Sequence, residues 1–269
     1  MSKYPKLFKY IIVLQQYWQN LFVYRMSFVV WRLRQFLSSF TALSVWSVVF
    51  ANQKTAFGYA QDEMITYIFL VTVLYNIILS SSLNALSGEI YSGSMSTKLV
   101  KPINVFLSLG FQDLAHKILN FGFVILESLI LYFIFKPSFI FPNQSYELIF
   151  IAWVALAALI CFIINLLFGS IGFWSPDSWG PRFLFYIFLD FTAGKLYPLD
   201  ILPNIIQKIV YLTPFPYMSY VQIQLLLGRL QPNQILPITL TMLAWTVGLI
   251  LIFKLVWQKG LKNYTAMGQ

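Results

Sequence analysis

Long apolar runs separated by short polar stretches extend along most of the chain. About 20 consecutive apolar residues cross the hydrocarbon core of a bilayer as a helix, so the runs predict six membrane-spanning helices. Their expected positions are 28–51, 64–86, 105–135, 148–174, a fifth run that begins at Phe183, and 235–257. We therefore expect an all-α integral membrane protein that forms a single domain over residues 1–269.

The first residues show a different pattern from the spans. In the stretch 5–25, PKLFKYIIVLQQYWQNLFVYR, the apolar side chains gather on one helical face, and Lys9, Gln16 and Gln19 lie mostly elsewhere. A helix of this kind lies in the membrane interface, where its Tyr and Trp rings reach the lipid head groups. We predict an N-terminal amphipathic interfacial helix over these residues.

The fifth apolar run is interrupted. It stops at Gly194, and Pro198, Pro203 and Pro214 then divide the following chain into short pieces. Each piece is too short to span, and broken helices persist at membrane depth only where they are buried in protein or line a cavity. We predict that residues 195–230 form short re-entrant helices on the outer side of the membrane.

Composition supports the assignment to the membrane. Apolar residues make up 59% of the chain and charged residues only 10%, whereas soluble domains carry about 25% charged residues. The mean hydropathy of +0.72 points the same way. The single cysteine, Cys161, excludes a disulfide framework and a cysteine-rich metal site, and we expect it to pack as a small apolar side chain.

The net charge of +9 has a topological explanation. If the N-terminus is cytoplasmic, twelve lysines and arginines fall on the cytoplasmic side and five outside, with Lys117 undecided. The positive-inside rule therefore places both termini, residues 88–104 and the loop 174–182 in the cytoplasm. Because the basic residues lie at the ends of apolar runs, we expect no nucleic-acid partner.

Residues with candidate chemistry are few. The only histidine, His116, lies between Asp113 and Lys117, whose i,i+4 spacing predicts a helix-surface pair. A polar patch against the N-terminal helix is the favoured interpretation of His116, and a proton relay is the alternative. Glu127 and Asp190 lie at membrane depth without an evident partner, so an ion-coupled secondary carrier or channel is the rival function.

The sequence gives no sign of an enzyme. It contains no Gly-rich phosphate loop and no Walker-type lysine, so we do not expect the chain to hydrolyse nucleotide itself. Polar residues do not cluster at one membrane depth, which disfavours an enzyme that acts on lipid. We expect no catalytic residue, no metal and no cofactor bound by this chain.

One polar segment, GEIYSGSMSTKLVKPIN at 88–104, separates the second and third spans. Glu89 near its start, and Lys98 and Lys101 near its end, suit the two ends of a helix dipole. The pattern predicts one short helix that ends at Pro102. An inert loop with ordinary charge placement is the alternative.

The same segment has the features of a contact for a soluble partner. Met95 and Leu99 are four residues apart, so on a helix they share a face that fills an apolar pocket. We expect Glu89 to pair with a basic residue of the partner or of the N-terminal helix.

In this segment the chain resembles the membrane subunits of type-2 ABC exporters, a permease family with six spans per chain. The family's acidic residue, glycine, leucine and proline correspond in order to Glu89, Gly93, Leu99 and Pro102. The stretch FTAGKLYPLDILP at 191–203, with 213–215 and Gly228 after it, is similar to the family's extracellular re-entrant region. Phe173 and Trp174 end the fourth predicted span. In this feature the chain is similar to a branch of the family whose bacterial members often work as paired permeases.

The resemblance implies two groups of functional residues. Those expected to couple to the ATPase are Glu89, Gly93, Met95, Lys98, Leu99 and Pro102. Those expected in the re-entrant region are Gly194, Pro198, Pro203, Pro214 and Phe215. The chain departs from the family at VQIQ, residues 221–224, where a proline is often found, and the substrate class is not carried over.

The resemblance also implies partners and a mechanism. Two permease chains, identical or homologous, would bind two cytoplasmic ABC ATPase subunits, which hold the ATP and Mg²⁺. Closure of the ATPases would push on residues 88–104 and on the N-terminal helix. The first, second and fifth helices at the dimer interface would then separate or collapse around the substrate. The substrate exported in this way would be lipid-like or otherwise hydrophobic or amphipathic. The expected location is the plasma membrane (the bacterial inner membrane), with contact to membrane lipid.

Overall fold

The computed structural model describes residues 8–23, 25–139 and 146–264, and these parts are mostly helical. The helices are α1 (Phe8–Val23), α2 (Arg25–Val49), α3 (Gln61–Ile78), α4 (Leu86–Tyr91), α5 (Ser96–Leu99), α6 (Val105–Phe135), α7 (Glu147–Ser170), α8 (Trp179–Thr192), α9 (Asn204–Tyr211), α10 (Tyr220–Leu226) and α11 (Pro232–Asn263). A short antiparallel hairpin of β1 (Thr55–Ala56) and β2 (Tyr59–Ala60) joins α2 to α3.

In the described parts of the chain, three helices are long and apolar enough to cross a membrane. They are α6, the run Glu147–Phe173 that contains α7, and α11. A fourth candidate is α3 together with Leu83–Tyr91, two pieces that meet at an angle of 58°. These helices confirm the all-α membrane class.

The two remaining predicted spans are weaker. Helix α2 has 25 residues, but Arg32, Arg34 and Gln35 reduce the hydropathy of its apolar stretch. Helix α8 has 14 residues, which is about 21 Å of helix against a hydrocarbon core of about 30 Å. A total of six spans therefore stays a prediction.

The long helices run between two ends of the molecule. We call one the basal end, where residues 79–104 and 171–178 lie, and the other the distal end, where residues 50–60 and 193–231 lie. Helices α2, α6 and α8 run from basal to distal along the chain, and α3, α7 and α11 run back.

Helix α3 is enclosed by its neighbours. Tyr67, Ile68 and Val71 are fully buried, because α2, α6, α7 and α10 all pack against this helix. Large apolar side chains such as Phe133 of α6 and Leu251 of α11 are instead exposed on the outside of the bundle. Lipid stabilises such a surface, because acyl chains are as apolar as the side chains that face them.

The basal end is closely packed. A Cβ built on Gly172 would overlap the backbone oxygen of Ser87, so the start of α4 lies directly on the chain that follows α7. A Cβ built on Gly260 would overlap the ring of Phe173. Phe173 also contacts Trp257 of α11, with 5.1 Å between ring centroids. The start of α4 and the chain after α7 are thus joined without intervening side chains, and the ring of Phe173 joins that chain to α11.

Candidate functional site

Two charged residues of α6 hold the bend at the basal end of α3. Asp113 Oδ1 accepts hydrogen bonds from Ser81 Oγ at 2.8 Å and from the Ser82 N–H at 3.0 Å. Lys117 Nζ donates to the carbonyl oxygen of Ile78 at 2.8 Å. These contacts satisfy backbone groups that the end of a helix leaves without partners. We call these two residues the α6 clamp.

The two residues of the α6 clamp also contact each other, as predicted. Lys117 Nζ lies 3.6 Å from Asp113 Oδ2. The prediction of a surface pair is wrong in one respect, since the Asp113 side chain is only 3% exposed. The bend of α3 covers it, and no local sequence pattern shows that burial.

His116 lies next to the α6 clamp and faces α1. Tyr17 Oη and His116 Nδ1 are 2.8 Å apart, and Trp18 Nε1 donates to a backbone oxygen of α6 at 2.9 Å. The Asn104 N–H donates to Tyr10 Oη at 3.1 Å near the start of α6. Helix α1 therefore lies along the basal half of α6, and the interpretation of His116 as a polar patch against the N-terminal helix is confirmed.

The predicted interfacial helix at 5–25 corresponds to α1 over Phe8–Val23. Residues 5–7 and Tyr24 lie outside the described residues, and Arg25 begins α2. No residue of α1 is buried, so this helix rests on the surface of the bundle. A peripheral position is the one that an amphipathic interfacial helix requires.

Residues 88–104 contain two short helices, so the prediction of a single helix is wrong. The end of α4 and the whole of α5 are separated by a turn at Gly93, whose φ is +76°. Glycine adopts this left-handed conformation without steric cost, and a right-handed helix cannot continue through it. The helical part also ends at Leu99, before the exposed Pro102.

Glu89 pairs within its own segment. Its Oε2 lies 2.5 Å from Lys98 Nζ, and both side chains are about one-third exposed. Its backbone oxygen accepts a hydrogen bond of 3.0 Å from the Met95 N–H across the turn. Among the described residues, Glu89 therefore pairs with Lys98 and not with a basic residue of α1, and its expected pairing with a partner stays a prediction.

The two apolar residues expected to share a face are separated. Met95 is 1% exposed, whereas Leu99 is 37% and the adjacent Val100 is 82% exposed. The turn at Gly93 directs the chain back onto the bundle, which places Met95 in the core. Leu99 and Val100 remain available for a partner, together with the neighbouring charged residues. We call residues 98–101 the basal ledge.

Helix α1 and the basal ledge form one continuous surface. A groove of about 280 Å³ lies between them and the start of α6. Gln16 and Tyr17 line it from α1, and Glu89, Lys98 and Lys101 line it from the opposite side. A partner that contacts the ledge therefore also reaches α1.

A larger cavity of about 1190 Å³ lies between α2, α3 and α8. It extends from Glu89 at the basal end to Asp190 and Lys195. Its apolar and aromatic lining includes Leu21, Phe28, Trp31, Leu79, Phe183 and Tyr186. Its charged lining includes Arg34, Glu89, Asp177, Arg182, Asp190 and Lys195. An apolar wall with a few charged groups suits an amphipathic molecule.

Both carboxylates predicted at membrane depth have partners, contrary to expectation. Arg32 Nε donates to Glu127 Oε1 at 2.9 Å. Lys195 Nζ lies 2.9 Å from Asp190 Oδ2, and Tyr75 Oη donates to the same carboxylate. Arg32 and Glu127 are 95 positions apart, so sequence spacing could not reveal their pairing.

The distal end begins where α8 stops, just before Gly194. Tyr67 Oη donates to the Gly194 carbonyl oxygen at 2.6 Å, and Ser219 Oγ donates to that of Ala193 at 2.6 Å. Pro198 then precedes a short 3₁₀ turn over Leu199–Ile201. The chain after α8 is therefore fixed to α3 and to the start of α10.

Two short helices follow at the positions predicted from the prolines. Helix α9 begins directly after Pro203 and has 8 residues, and α10 has 7 residues. Pro214 and Phe215 lie in the link between them. Neither helix is long enough to cross a membrane. Their re-entrant role stays a prediction.

A charged cluster at the distal end was not predicted. Arg229 Nε lies 2.5 Å from Glu63 Oε1, and Arg229 Nη1 lies 3.3 Å from Asp200 Oδ2. Tyr59 Oη donates to Asp200 Oδ2 at 2.7 Å. Burial, and then the neighbouring Asp200, raise the pKa of Tyr59, so the phenol stays protonated and can donate. The cluster fastens the chain after α10 to the start of α3.

Within the described ranges, no group of three or more His, Cys, Asp or Glu side chains could hold a metal ion. Arg182 and Asn84, which meet at the large cavity, were missed as site residues. The sequence showed Arg182 only as one of the basic residues near a span. Its burial depends on the position of α4, which no local pattern specifies.

Comparison with known proteins identifies the family. A family model described as "ABC-2 family transporter protein" matches residues 36–268, which include every helix from α3 onward. No curated protein matches the chain. The match confirms the resemblance to this family. The chain is a multi-pass membrane component of a transporter and belongs to the ABC-2 transporter family.

Proposed function

We propose that the chain is the permease subunit of an ATP-binding-cassette exporter. It moves a lipid-like or other amphipathic substrate out of the cytoplasm or out of the inner leaflet. A separate cytoplasmic ATPase binds ATP and Mg²⁺ and supplies the energy. Membership of the ABC-2 family supports the transport role and the association with an ATPase.

The observation that carries the proposal is the position of the basal ledge. Leu99 and Val100 are exposed there beside α1, on a segment whose other side is packed against the bundle. The ledge follows α4, and Ser87 of α4 touches the backbone of Gly172 directly. Force applied to the ledge is therefore passed to α7 without a compressible layer of side chains.

A second set of contacts would transmit a movement of the ledge to the large cavity. Helix α4 is connected to α3 through the bend that the α6 clamp holds. Tyr75 and Asn76 near the end of α3 line the cavity. Movement of the ledge therefore changes the cavity wall, which is the coupling that an ATP-driven exporter needs.

The lining of the large cavity supports the proposed substrate class. Aromatic and aliphatic side chains form much of its wall, and charged side chains are distributed from Glu89 to Lys195. A volume of about 1190 Å³ is somewhat larger than that of sites for drug-sized ligands. The cavity suits an amphipathic molecule better than a small ion.

The rival function, an ion-coupled carrier or channel, receives less support. Such a carrier needs a carboxylate that can exchange its ion or proton during transport. Glu127 is bound by Arg32, and Asp190 is bound by Lys195 and Tyr75. These partners hold both carboxylates in fixed contacts within the bundle.

The proposed assembly contains two permease chains, identical or homologous, in the plasma membrane and two ATPases on its cytoplasmic side. Both termini and the basal ledge face the cytoplasm, and residues 195–230 lie outside. The twelve-to-five distribution of basic residues supports this orientation.

The decisive experiment is co-expression of the tagged chain with candidate ABC ATPase subunits from the same organism. We expect the ATPase to copurify with the chain and transport in inverted vesicles to require ATP. An ATPase variant that lacks its catalytic glutamate provides the matched control, because it binds ATP without hydrolysing it. Transport that follows an ion gradient in vesicles without ATP would overturn the proposal.

A further inference from the structure

Arg182 is a buried cation whose hydrogen-bonding capacity is mostly unused. Its side chain lies in the first turn of α8, and the residue is only 7% exposed. Nη1 donates to Asn84 Oδ1, while Nε and Nη2 are buried without a hydrogen-bond partner among the described residues. In the same parts of the chain, no carboxylate lies within ion-pair distance of Arg182.

This arrangement is unusual for a guanidinium group. A buried charge is costly unless a counter-charge or a full set of hydrogen bonds compensates it. Arg32, the other buried arginine of the described chain, is held by Glu127. Arg182 has the ring of Phe168 at 5.6 Å from Cζ, but a ring contact leaves the two nitrogens unsatisfied. The protein alone does not complete the surroundings of Arg182.

The unsatisfied nitrogens belong to a residue that lines the large cavity. Asn84 and Ser178 line the same part, and the Asn84 contact fixes one side of the guanidinium. The N-terminus of α8 adds a partial positive charge at this place. The nearby Asp177 carboxylate accepts the Trp179 N–H at 2.7 Å, and among the described residues it forms no ion pair with Arg182.

The rest of the cavity defines what else the occupant must carry. Phe183 follows Arg182 by one residue and Tyr186 by about one helical turn, and both line the cavity with Phe28 and Trp31 of α2. At the far side, Lys195 is already paired with Asp190. Arg34 of α2 also lines the cavity but is exposed, so Arg182 is the buried positive charge without an ion pair in the described lining, and an apolar wall extends away from it.

We propose that Arg182 binds the anionic head group of an amphiphile, a phosphate or a carboxylate, while the apolar part lies along the aromatic wall. The planar guanidinium presents Nε and Nη2 on one edge, a geometry that matches two oxygens of such a group. This proposal rests on the proposed transport function, because it specifies the chemistry of the substrate in the same cavity.

The test measures binding to the purified full-length chain in a neutral detergent, without any ATPase. The probes are dihexanoyl phosphatidylglycerol, dihexanoyl phosphatidylcholine and inorganic phosphate, titrated by calorimetry. The two lipids have the same acyl chains, so their comparison isolates the head-group charge. The variants are Arg182→Gln and Arg182→Lys. Arg25→Gln is the matched control, since Arg25 is an exposed arginine outside the cavity lining.

We expect phosphatidylglycerol to bind more tightly than phosphatidylcholine or inorganic phosphate. Arg182→Gln weakens its binding at least about tenfold, because charge-assisted hydrogen bonds to the head group are lost. Arg182→Lys weakens it less, because the charge remains while the two-nitrogen edge is lost. Arg25→Gln leaves it unchanged. If Arg182→Gln does not fold, the Lys variant carries the test.

Three results would overturn the proposal. One is equal affinity for the two lipids, and another is unchanged phosphatidylglycerol binding in the folded Arg182 variants. The third is inorganic phosphate binding as tightly as the anionic lipid, which would indicate a free-anion site. Since this assay contains no ATPase, its failure leaves the copurification result intact, and the two proposals fail separately.

Discussion

Tyr264 Oη donates a hydrogen bond of 2.7 Å to the backbone oxygen of Gly93. The two residues are 171 positions apart, so the end of the last long helix holds the turn between α4 and α5. The ring of Phe173 lies beside Tyr264, with 6.0 Å between centroids. Gly93 thus forms the turn and also fastens it to α11, directly next to the basal ledge.

Removal of this hydroxyl tests how firmly the turn is held. Tyr264→Phe keeps the ring against Phe173 and loses only the hydrogen bond to Gly93. We expect the free energy of unfolding to fall by about 0.5–1.5 kcal/mol. Thermal unfolding in detergent measures the loss. Tyr91→Phe is the control, because no hydrogen bond of the Tyr91 hydroxyl occurs in the described chain, and an equal loss in both variants would contradict the assignment.

The contact between α4 and the chain after α7 predicts a strong effect of one methyl group. Gly172→Ala places a Cβ on the backbone oxygen of Ser87, which no side-chain rotation relieves. We expect a loss of about 1–3 kcal/mol, the usual cost of overpacking. Gly122→Ala is the matched control in α6, since nothing lies within 4 Å of its added Cβ. Equal thermal midpoints for the two variants would show that the contact is loose.

The buried pair of Arg32 and Glu127 gives a double-mutant test. Arg32→Met leaves the Glu127 carboxylate without its counter-charge, and we expect a cost of about 3–5 kcal/mol. Adding Glu127→Leu removes the orphaned charge and should restore most of the stability. Transport by the stable double variant should persist, as measured in vesicles. Loss of transport despite restored stability would instead favour the ion-coupled carrier.

The basal ledge predicts a joint loss of ATP hydrolysis and transport. Burial of one leucine is worth about 1.5–3 kcal/mol, so Leu99→Asp should weaken the ATPase contact at least about tenfold. Glu89→Lys should act similarly, because it replaces the ion pair with Lys98 by repulsion between two lysines. Substrate-stimulated ATP hydrolysis and transport are measured in the same vesicles.

The control for the ledge variants is Lys54→Asp at the distal end, which should change neither activity. Wild-type ATPase binding and transport in both Leu99→Asp and Glu89→Lys would show that the ledge is an inert loop.

Orientation is tested by cysteine labelling in intact cells. We expect Asn52→Cys to react with an impermeant reagent from outside, and Thr97→Cys and Lys262→Cys to be protected. All three positions are exposed, and the native Cys161 is buried, so it contributes little background. Labelling of Thr97→Cys from outside would place the basal ledge on the wrong side for a cytoplasmic ATPase.

The features predicted correctly from sequence are those that depend on neighbouring residues. The apolar runs of α6, α7 and α11 follow from local hydropathy. The start of α9 follows from Pro203, and the break between α9 and α10 follows from Pro214. Proline has no backbone N–H donor and its φ is fixed. A proline therefore restricts where a helix begins or ends, whatever the tertiary surroundings of the chain.

The features that were missed depend on contacts distant in sequence. Residues 88–104 have the composition of one helix, but the hydrogen bond from Tyr264 and the packing of Met95 stabilise a turn at Gly93 instead. The pairing of Arg32 with Glu127 and the burial of Arg182 likewise arise only when separate helices assemble. Propensity and charge spacing carry no information about such contacts.

The 58° bend after α3 has a mechanical consequence. A straight helix transmits a force along its own axis, whereas two helices that meet at an angle change the direction of the force. If a bound ATPase pushed on α4, the bent pair of α4 and α3 would rotate about the α6 clamp. In the proposed assembly, α3 would then swing sideways toward α2 and α8, so an upward push at the membrane surface would become a lateral squeeze on the cavity between these helices.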